Sequence, residues 1–288
     1  MRAIPYLFLF LFIIILYIAT LDIYFDYLYY ESFYDSKPEK LKISAGILTH
    51  YAPDTLRYTL ETYKNSGFTD IVDDLFVVIQ KSEREQMEID VCNESNVRYI
   101  LMPDNGHMAW GFKAIYDNAR NDILLFLEND FIITASKSDI YNFLYNSVYF
   151  LYDKNCDIVR GRSRTNPGEP NHALHLKNTS PLILENSSHL SEVLYWDEQP
   201  HRTYPSKISQ IEPINGTDTW YVISSKSCNY TNNPYLCKRS FFKSEIYPYL
   251  FFGENIENRL TPIWSQKDFT CVVGPGLFTH NRMYDGHN

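Results

Sequence analysis

The chain has 288 residues, 45% of them hydrophobic, enough for one substantial α/β core with short appendages and too many for wholesale disorder. Its formal charge of −9 and pI near 5.4 exclude a duplex nucleic-acid binder, which needs a basic face. An acidic protein still holds an anionic ligand where a metal ion or a helix N-terminus supplies positive charge.

The first feature along the chain is an uncharged run from Ala3 to Leu21, preceded by Arg2 and followed by Asp22, Asp26 and Glu31. Coiled as a helix at 1.5 Å per residue, the run nearly crosses a hydrocarbon core of about 30 Å. Positive charge ahead of it favours a cytoplasmic N-terminus. Residues 1–21 are therefore expected to be a cytoplasmic tip and transmembrane signal anchor. That makes the chain a single-pass type II membrane protein, its bulk in the lumen of the Golgi or another endomembrane. A cleaved signal peptide is the competing reading, but its apolar core is usually shorter. Residues 22–40 read as a stem and 41–288 as the folded domain.

Sequons at Asn93, Asn178, Asn186, Asn215 and Asn229 agree with a lumenal setting but carry little weight in so Asn-rich a chain. None of the five cysteines forms a CxxC pair, so structural zinc is not expected. Cys228 and Cys237 are near enough in sequence to close a short loop by a disulfide in an oxidising compartment, and the pairing stays open.

From Leu41 the pattern alternates. Lys42–Thr49 reads as a buried strand, followed by a helix through about Ser66 that Gly67 stops. Leu75–Gln80 and Val97–Met102 read as strands, Ala109–Ala119 as a helix, and Asp122–Leu127 as an apolar strand. Short apolar strands separated by helices predict an α/β fold with a mostly parallel sheet, whose ligands bind at the carboxyl ends of strands. Glu128-Asn129-Asp130 sits at such an end, and two carboxylates there suit a hard cation. A solvated acidic turn would look the same. The stretch from Arg162 to about Pro213 is polar and weakly periodic, and reads as long loops facing a substrate. Glu254 and Glu257 share a helix face ahead of Trp264, although a plain helix N-terminus also favours such carboxylates. His280 follows the strand segment Val272–Phe278.

The order of these pieces resembles GT-A-fold glycosyltransferases, family 2-like members in particular, over residues 41–283. Ile47–Tyr51 with Leu56–Leu60 is similar to their opening strand and helix. Phe126–Asp130 resembles their DxD motif, and Asn233–Phe242 the strand before the acceptor site. Gly253–Arg259 resembles their Glu-Asp motif, and Phe278-Thr279-His280 the terminal aromatic-x-His. The resemblance implies a Rossmann-like sheet flanked by helices and an enzyme that moves a sugar from a nucleotide-sugar to a glycan, glycoprotein or glycolipid. It implies Mn²⁺ or Mg²⁺ held by Asp130 and His280, with Glu128 on the ribose or on the metal through water. Thr49 and Tyr51 would lie beside the base, and Asn105 and Lys113 near the nucleotide. Asn255 stands where a catalytic Asp is usual and cannot act as a base; some retaining relatives use this position to grip the sugar. Glu254 is then the first candidate base and Glu257 the second, with inversion or retention open. The substitutions at Glu128 and Asn255 keep a second reading alive, a non-catalytic glycan-binding or scaffold protein on a degenerate fold. A nucleotidyltransferase is disfavoured, because no Gly-rich phosphate loop follows the first strand. Trp110, Trp196 and Trp220 are candidates for stacking on an acceptor sugar. The spacing of His172, His175, His189 and His201 fits no compact zinc motif.

Overall fold

The computed structural model describes Tyr17 and residues 40–282 of a chain that divides into Met1–Leu41 and Lys42–Asn288. The expected transmembrane helix is corrected: among the described residues no helix is long and apolar enough to cross a membrane. An apolar run sets only the length that a span would need, and its own conformation decides whether one exists. Apart from Tyr17, the run Ala3–Leu21 lies outside the described residues, as do residues 22–39 of the expected stem. The single-pass type II topology and the Golgi placement rested on that span and fall with it.

The second unit is built on one large sheet of mixed strand direction. Strands β1 (Leu41–Thr49), β2 (Val72–Ile79), β3 (Arg98–Leu101) and β4 (Ile123–Glu128) form its first half. β2 runs parallel to β3 and β1 parallel to β4, as the strand–helix alternation predicts. β1 and β4 are buried along nearly their whole length, which is why they read as continuous apolar runs. Helices α1 (Pro53–Asn65), α2 (Glu85–Glu94) and α3 (His107–Asn118) connect them. Gly67, at φ 77°, a left-handed conformation open to glycine, stops the first of these helices and leads into a short helical turn, Phe68–Ile71, before β2. Asp74, almost fully buried, knits this half together: it accepts from Ser44 Oγ at 2.7 Å and takes a forked contact from Arg98.

Beyond β4 the sheet departs from the parallel expectation. β10 (Tyr235–Lys238) is antiparallel to both β4 and β6 (Ile158–Arg162). β11 (Thr270–Asn281) is parallel to β6 and antiparallel to β9 (Trp220–Ser224), which pairs with β8 (Ile208–Ile211). Two short strands, β5 (Phe131–Ile133) and β7 (Gly168–Glu169), attach to the far end of β11. Helix α4 (Lys137–Asp153) follows β5, and Ser136 caps it by accepting from the Asp139 amide. The stretch read as loops after Arg162 is broken into short helical turns, among them His172–Leu176 and Leu190–Tyr195. The core where the halves meet is aromatic. Phe126 stacks on Phe242 at 4.5 Å and on Tyr235 at 5.0 Å, with Phe112 tilted against it at 5.1 Å.

Candidate active site

β4 delivers Glu128 to the carboxyl edge of the sheet, level with Leu48 of β1. The turn after it is pinned from two sides. Asn129 donates its amide to the Leu48 carbonyl at 3.0 Å, and the Thr59 hydroxyl of α1 donates to the Asn129 carbonyl at 2.6 Å. Tyr63 donates to the Phe131 carbonyl at 2.7 Å. From the other direction β11 runs antiparallel to β5 and sets His280 opposite Phe131, the two rings stacking at 4.9 Å. Asn281 then donates its amide to the Asp130 carbonyl at 2.7 Å.

The result is a contact between side chains that are remote in sequence. His280 Nε2 lies 2.9 Å from Asp130 Oδ2, and Arg282 Nε lies 4.0 Å from the same oxygen. His280 Nδ1 faces the Pro170 carbonyl at 3.5 Å, the arrangement that orients an imidazole and leaves Nε2 for the site. Asp130 Oδ1 is buried with no hydrogen-bond partner. Burial, then the negative charges of Asp130 and Glu257, hold the Glu128 carboxyl well above the usual carboxylate range, with Arg282 opposing. An orphaned carboxylate oxygen beside a second acid and an oriented imidazole fits a hard divalent cation. Among the described residues no group of three or more His, Cys, Asp or Glu could hold a metal. The chain would therefore supply two ligands, Asp130 and His280, and leave the rest to a ligand's phosphates and water, as Mg²⁺-type sites commonly do.

The opposite wall comes from helix α5 (Ile256–Trp264). Asn255 is its N-cap: its Oδ1 accepts from the amides of Glu257 at 2.9 Å and Asn258 at 3.2 Å. That geometry turns the two glutamates apart. Glu254 points to Arg259, at 3.2 and 3.3 Å, and is 44% exposed. Glu257 faces inward, its Oε1 accepting from the Asn232 amide at 2.7 Å. It lines a cavity of about 510 Å³ together with Arg162, Asn258, His280 and Arg282.

The residues expected at the nucleotide are placed less uniformly. Thr49 is buried and donates to Glu88 Oε1 at 2.6 Å, which ties the end of β1 to α2. Tyr51 follows at φ 60°, with the Arg84 guanidinium 5.4 Å from its ring centre. Asn105 Nδ2 lies 3.1 Å from His50 Nε2 on the surface, and Asn105 Oδ1 accepts from the His107 amide at 2.9 Å. Thr49, Tyr51 and Asn105 thus gather at the ends of β1 and β3. Lys113 does not join them: it pairs with Asp117 one turn on and lies over the Tyr247 ring at 5.1 Å.

His172, His175 and His189 of the histidine-bearing stretch line the wall of this cavity. Trp220 is core, Trp196 is partly buried against the core, and Trp110 remains exposed, edge-on to Phe252 at 5.2 Å. Cys228 and Cys237 are both free thiols. Arg162, Glu192 and Arg282 were not singled out from the sequence. A lone polar residue in an aperiodic segment carries no signal of the wall that it will line.

No family model matches the chain, and no curated protein matches it. Solved structures do resemble it. One is glucosyl-3-phosphoglycerate synthase from Mycobacterium tuberculosis in complex with Mn²⁺, uridine diphosphate and phosphoglyceric acid. It is 13% identical, with 84% of this chain and 71% of that chain covered at a TM-score of 0.49. The same enzyme in complex with Mg²⁺ and uridine diphosphate gives 13%, 84%, 72% and 0.47. Mannosyl-3-phosphoglycerate synthase from Rubrobacter xylanophilus gives 13%, 71%, 56% and 0.42. These neighbours are of the class that the sequence motifs resemble. Superpositions this loose add no argument of their own, and the case for chemistry rests on the residues.

Proposed function

We propose that this chain is a metal-dependent glycosyltransferase that moves a sugar from a nucleotide-sugar to a hydroxyl held in the 510 Å³ cavity. The observation that carries this reading is the Asp130–His280 pair at the strand edge, with an orphaned Asp130 oxygen and Glu257 on the facing wall. Asp130 and His280 would hold the cation, which when bound neutralises the leaving diphosphate. The ends of β1 and β3, with Tyr51 and Asn105, would receive the nucleotide.

Glu257 is the better placed of the two glutamates to take the proton from an acceptor hydroxyl. It lines the cavity, whereas Glu254 is turned to Arg259 at the surface. The Asn232 amide fixes one Glu257 oxygen and leaves the other for the acceptor. Asn255 would act by aiming Glu257 rather than by touching the donor. The acceptor's chemistry (glycan, glycoprotein or glycolipid) is part of the same proposal.

The test is a thermal-shift series on the purified full chain with nucleoside diphosphates and nucleotide-sugars, with and without Mn²⁺. A ligand that binds only the folded state raises the melting temperature. One nucleotide should do so only when metal is present, and its sugar should be transferred or hydrolysed. Glycan binding without any nucleotide response would replace the transferase with a binding module.

A further inference from the structure

One wall of the 510 Å³ cavity carries positive charge and hydrogen-bond donors that the Asp130–His280 pair does not use. Arg162, at the end of β6, is only 7% exposed. Its Nε donates to the Pro167 carbonyl, Nη1 to Asn233 Oδ1, and Nη2 to the Gly168 and Pro170 carbonyls. All of these acceptors are neutral. Glu192 feels the Arg162 charge across the cavity wall without forming an ion pair with it among the described residues. A guanidinium taken out of water without a paired carboxylate stays costly until an anion reaches it.

Asn171, 6% exposed and on the same wall, supplies an unmet donor. Its Oδ1 accepts from the Ala173 amide at 3.2 Å and so caps the turn His172–Leu176. That bond fixes which way the side-chain amide points, and Nδ2 is left buried with no partner. The same turn brings His172 and His175 to the wall, their rings stacked at 6.2 Å, and His189 joins them. His280 stands between this wall and the cation site: its Nε2 faces Asp130 and its Nδ1 the Pro170 carbonyl, next to Asn171. Arg282 lies on the Asp130 side, 4.0 Å from Oδ2. Two acids also line the cavity. Glu257 is engaged by the Asn232 amide, and burial pushes Glu192 up to about 7, so at neutral pH it offsets the Arg162 charge only in part.

We propose that the acceptor is an acidic sugar, and that Arg162, Asn171, His172 and His175 bind its carboxylate or phosphate group while its hydroxyl faces Glu257. Charge-assisted hydrogen bonds to an anion are the strongest use of an orphaned donor beside a buried guanidinium. A cavity of this size has room for a sugar-sized acceptor next to a diphosphate. In the transfer the acceptor oxygen forms the new bond to the anomeric carbon, the diphosphate leaves with the electron pair of the old one, and Glu257 keeps the proton. The anionic group is held and takes no part in the bond changes. The proposal rests on the transferase reading for the donor, whereas binding of the acid itself needs neither metal nor nucleotide.

The test is titration calorimetry on the purified full chain, without metal or nucleotide, with glucose, glucuronate and glucose-6-phosphate as probes and acetate and inorganic phosphate as the bare anions. At least one charged sugar should bind about ten-fold or more tightly than glucose, and about ten-fold more tightly than its bare anion. Which of the two is stronger tells a carboxylate site from a phosphate site. Arg162→Gln should abolish this binding, but it also releases the turn at residues 167–170. His172→Gln combined with His175→Gln, at two exposed positions, avoids that difficulty and should weaken the binding about ten-fold while the nucleotide response to Mn²⁺ is kept. Equal affinity for glucose and the charged sugars, or no binding of either charged sugar, would overturn the proposal. So would a bare anion that binds as tightly as the sugar, or anion binding that needs Mn²⁺ and is lost in Asp130→Asn. Any of these results beside a metal-dependent nucleotide shift leaves the transferase standing. Loss of that shift removes the transferase but not the anion site.

Discussion

His280 Nε2 and Asp130 Oδ2 are 2.9 Å apart although 150 positions separate them in the chain. The contact exists because β11 runs antiparallel to β5 and sets His280 beside Asp130 at the sheet edge. Removing either partner should therefore abolish the metal-dependent part of nucleotide binding. Asp130→Asn keeps the shape and loses the charge. At a ligand concentration about a hundred times its Kd the wild-type chain gains about 2.7 kcal/mol. That gain should vanish in Asp130→Asn and His280→Ala, measured as melting temperature with and without Mn²⁺. Retention of the full shift in Asp130→Asn would remove Asp130 from the site.

The glutamates make the second prediction. Glu257→Gln should lower turnover by about 10²–10⁴ while leaving nucleotide affinity intact, since a general base acts on the acceptor. Glu254→Gln should stay within about two-fold, because its carboxylate serves an exposed pair with Arg259. The reverse order of effects, read from steady-state rates, would return the base to Glu254.

Asn255 provides a third. As an N-cap it satisfies two amides, so Asn255→Ala should cost about 1 kcal/mol, seen as a fall of roughly 2–4 °C in melting temperature. Asn255→Asp is an equally good cap and should restore that loss. A nucleotide affinity that falls sharply in Asn255→Ala at unchanged stability would instead make it a donor contact.

The cap also shows how far the residues could be read. An Asn ahead of an apolar helical stretch is a helix-start signal, and Ile256–Trp264 is indeed helical, yet the resemblance drew attention to Asn255 as a missing base. The parallel half was legible because β1 and β4 are buried on both faces and read as unbroken apolar runs. α4 went unread although Ile140, Phe143, Leu144, Ser147, Val148 and Leu151 repeat at helical spacing, because aromatic and polar residues blur the contrast between its faces. The middle position of β10 and the pairing of β11 with β5 are decided by long-range partners, so no local pattern could place His280 on Asp130. Lys113 pairs with Asp117 one helix turn on, a contact that the i,i+4 spacing alone makes available.

Gly168 yields a fourth prediction. It holds φ 72° in β7, and a Cβ there would overlap the His280 carbonyl. Gly168→Ala should destabilise by about 1–3 kcal/mol or more and also weaken the metal-dependent shift, since the displaced strand carries His280. Gly253 has a similar φ of 76° with nothing near its Cβ position, so Gly253→Ala should cost only about 1–2 kcal/mol of backbone strain and leave metal binding alone. Equal effects on metal binding in the two variants would break this link.

The last prediction concerns pH. Glu192 is pushed up to about 7, first by burial and then by the negative charge of Cys228, while Arg160 and Arg162 oppose the rise. Its folded value therefore lies above the value of about 4.5 for an unfolded chain. Between those limits the folded protein keeps a proton that the unfolded chain has released, so stability declines as pH rises from about 4.5 to about 7. Below that window the contribution is fully present, and above it the loss is complete. Glu192→Gln removes the titration and should flatten this part of the melting-temperature profile, leaving the wild type relatively weaker at pH 7.5 than at pH 4.5. Parallel profiles for the two proteins would exclude Glu192 as the source.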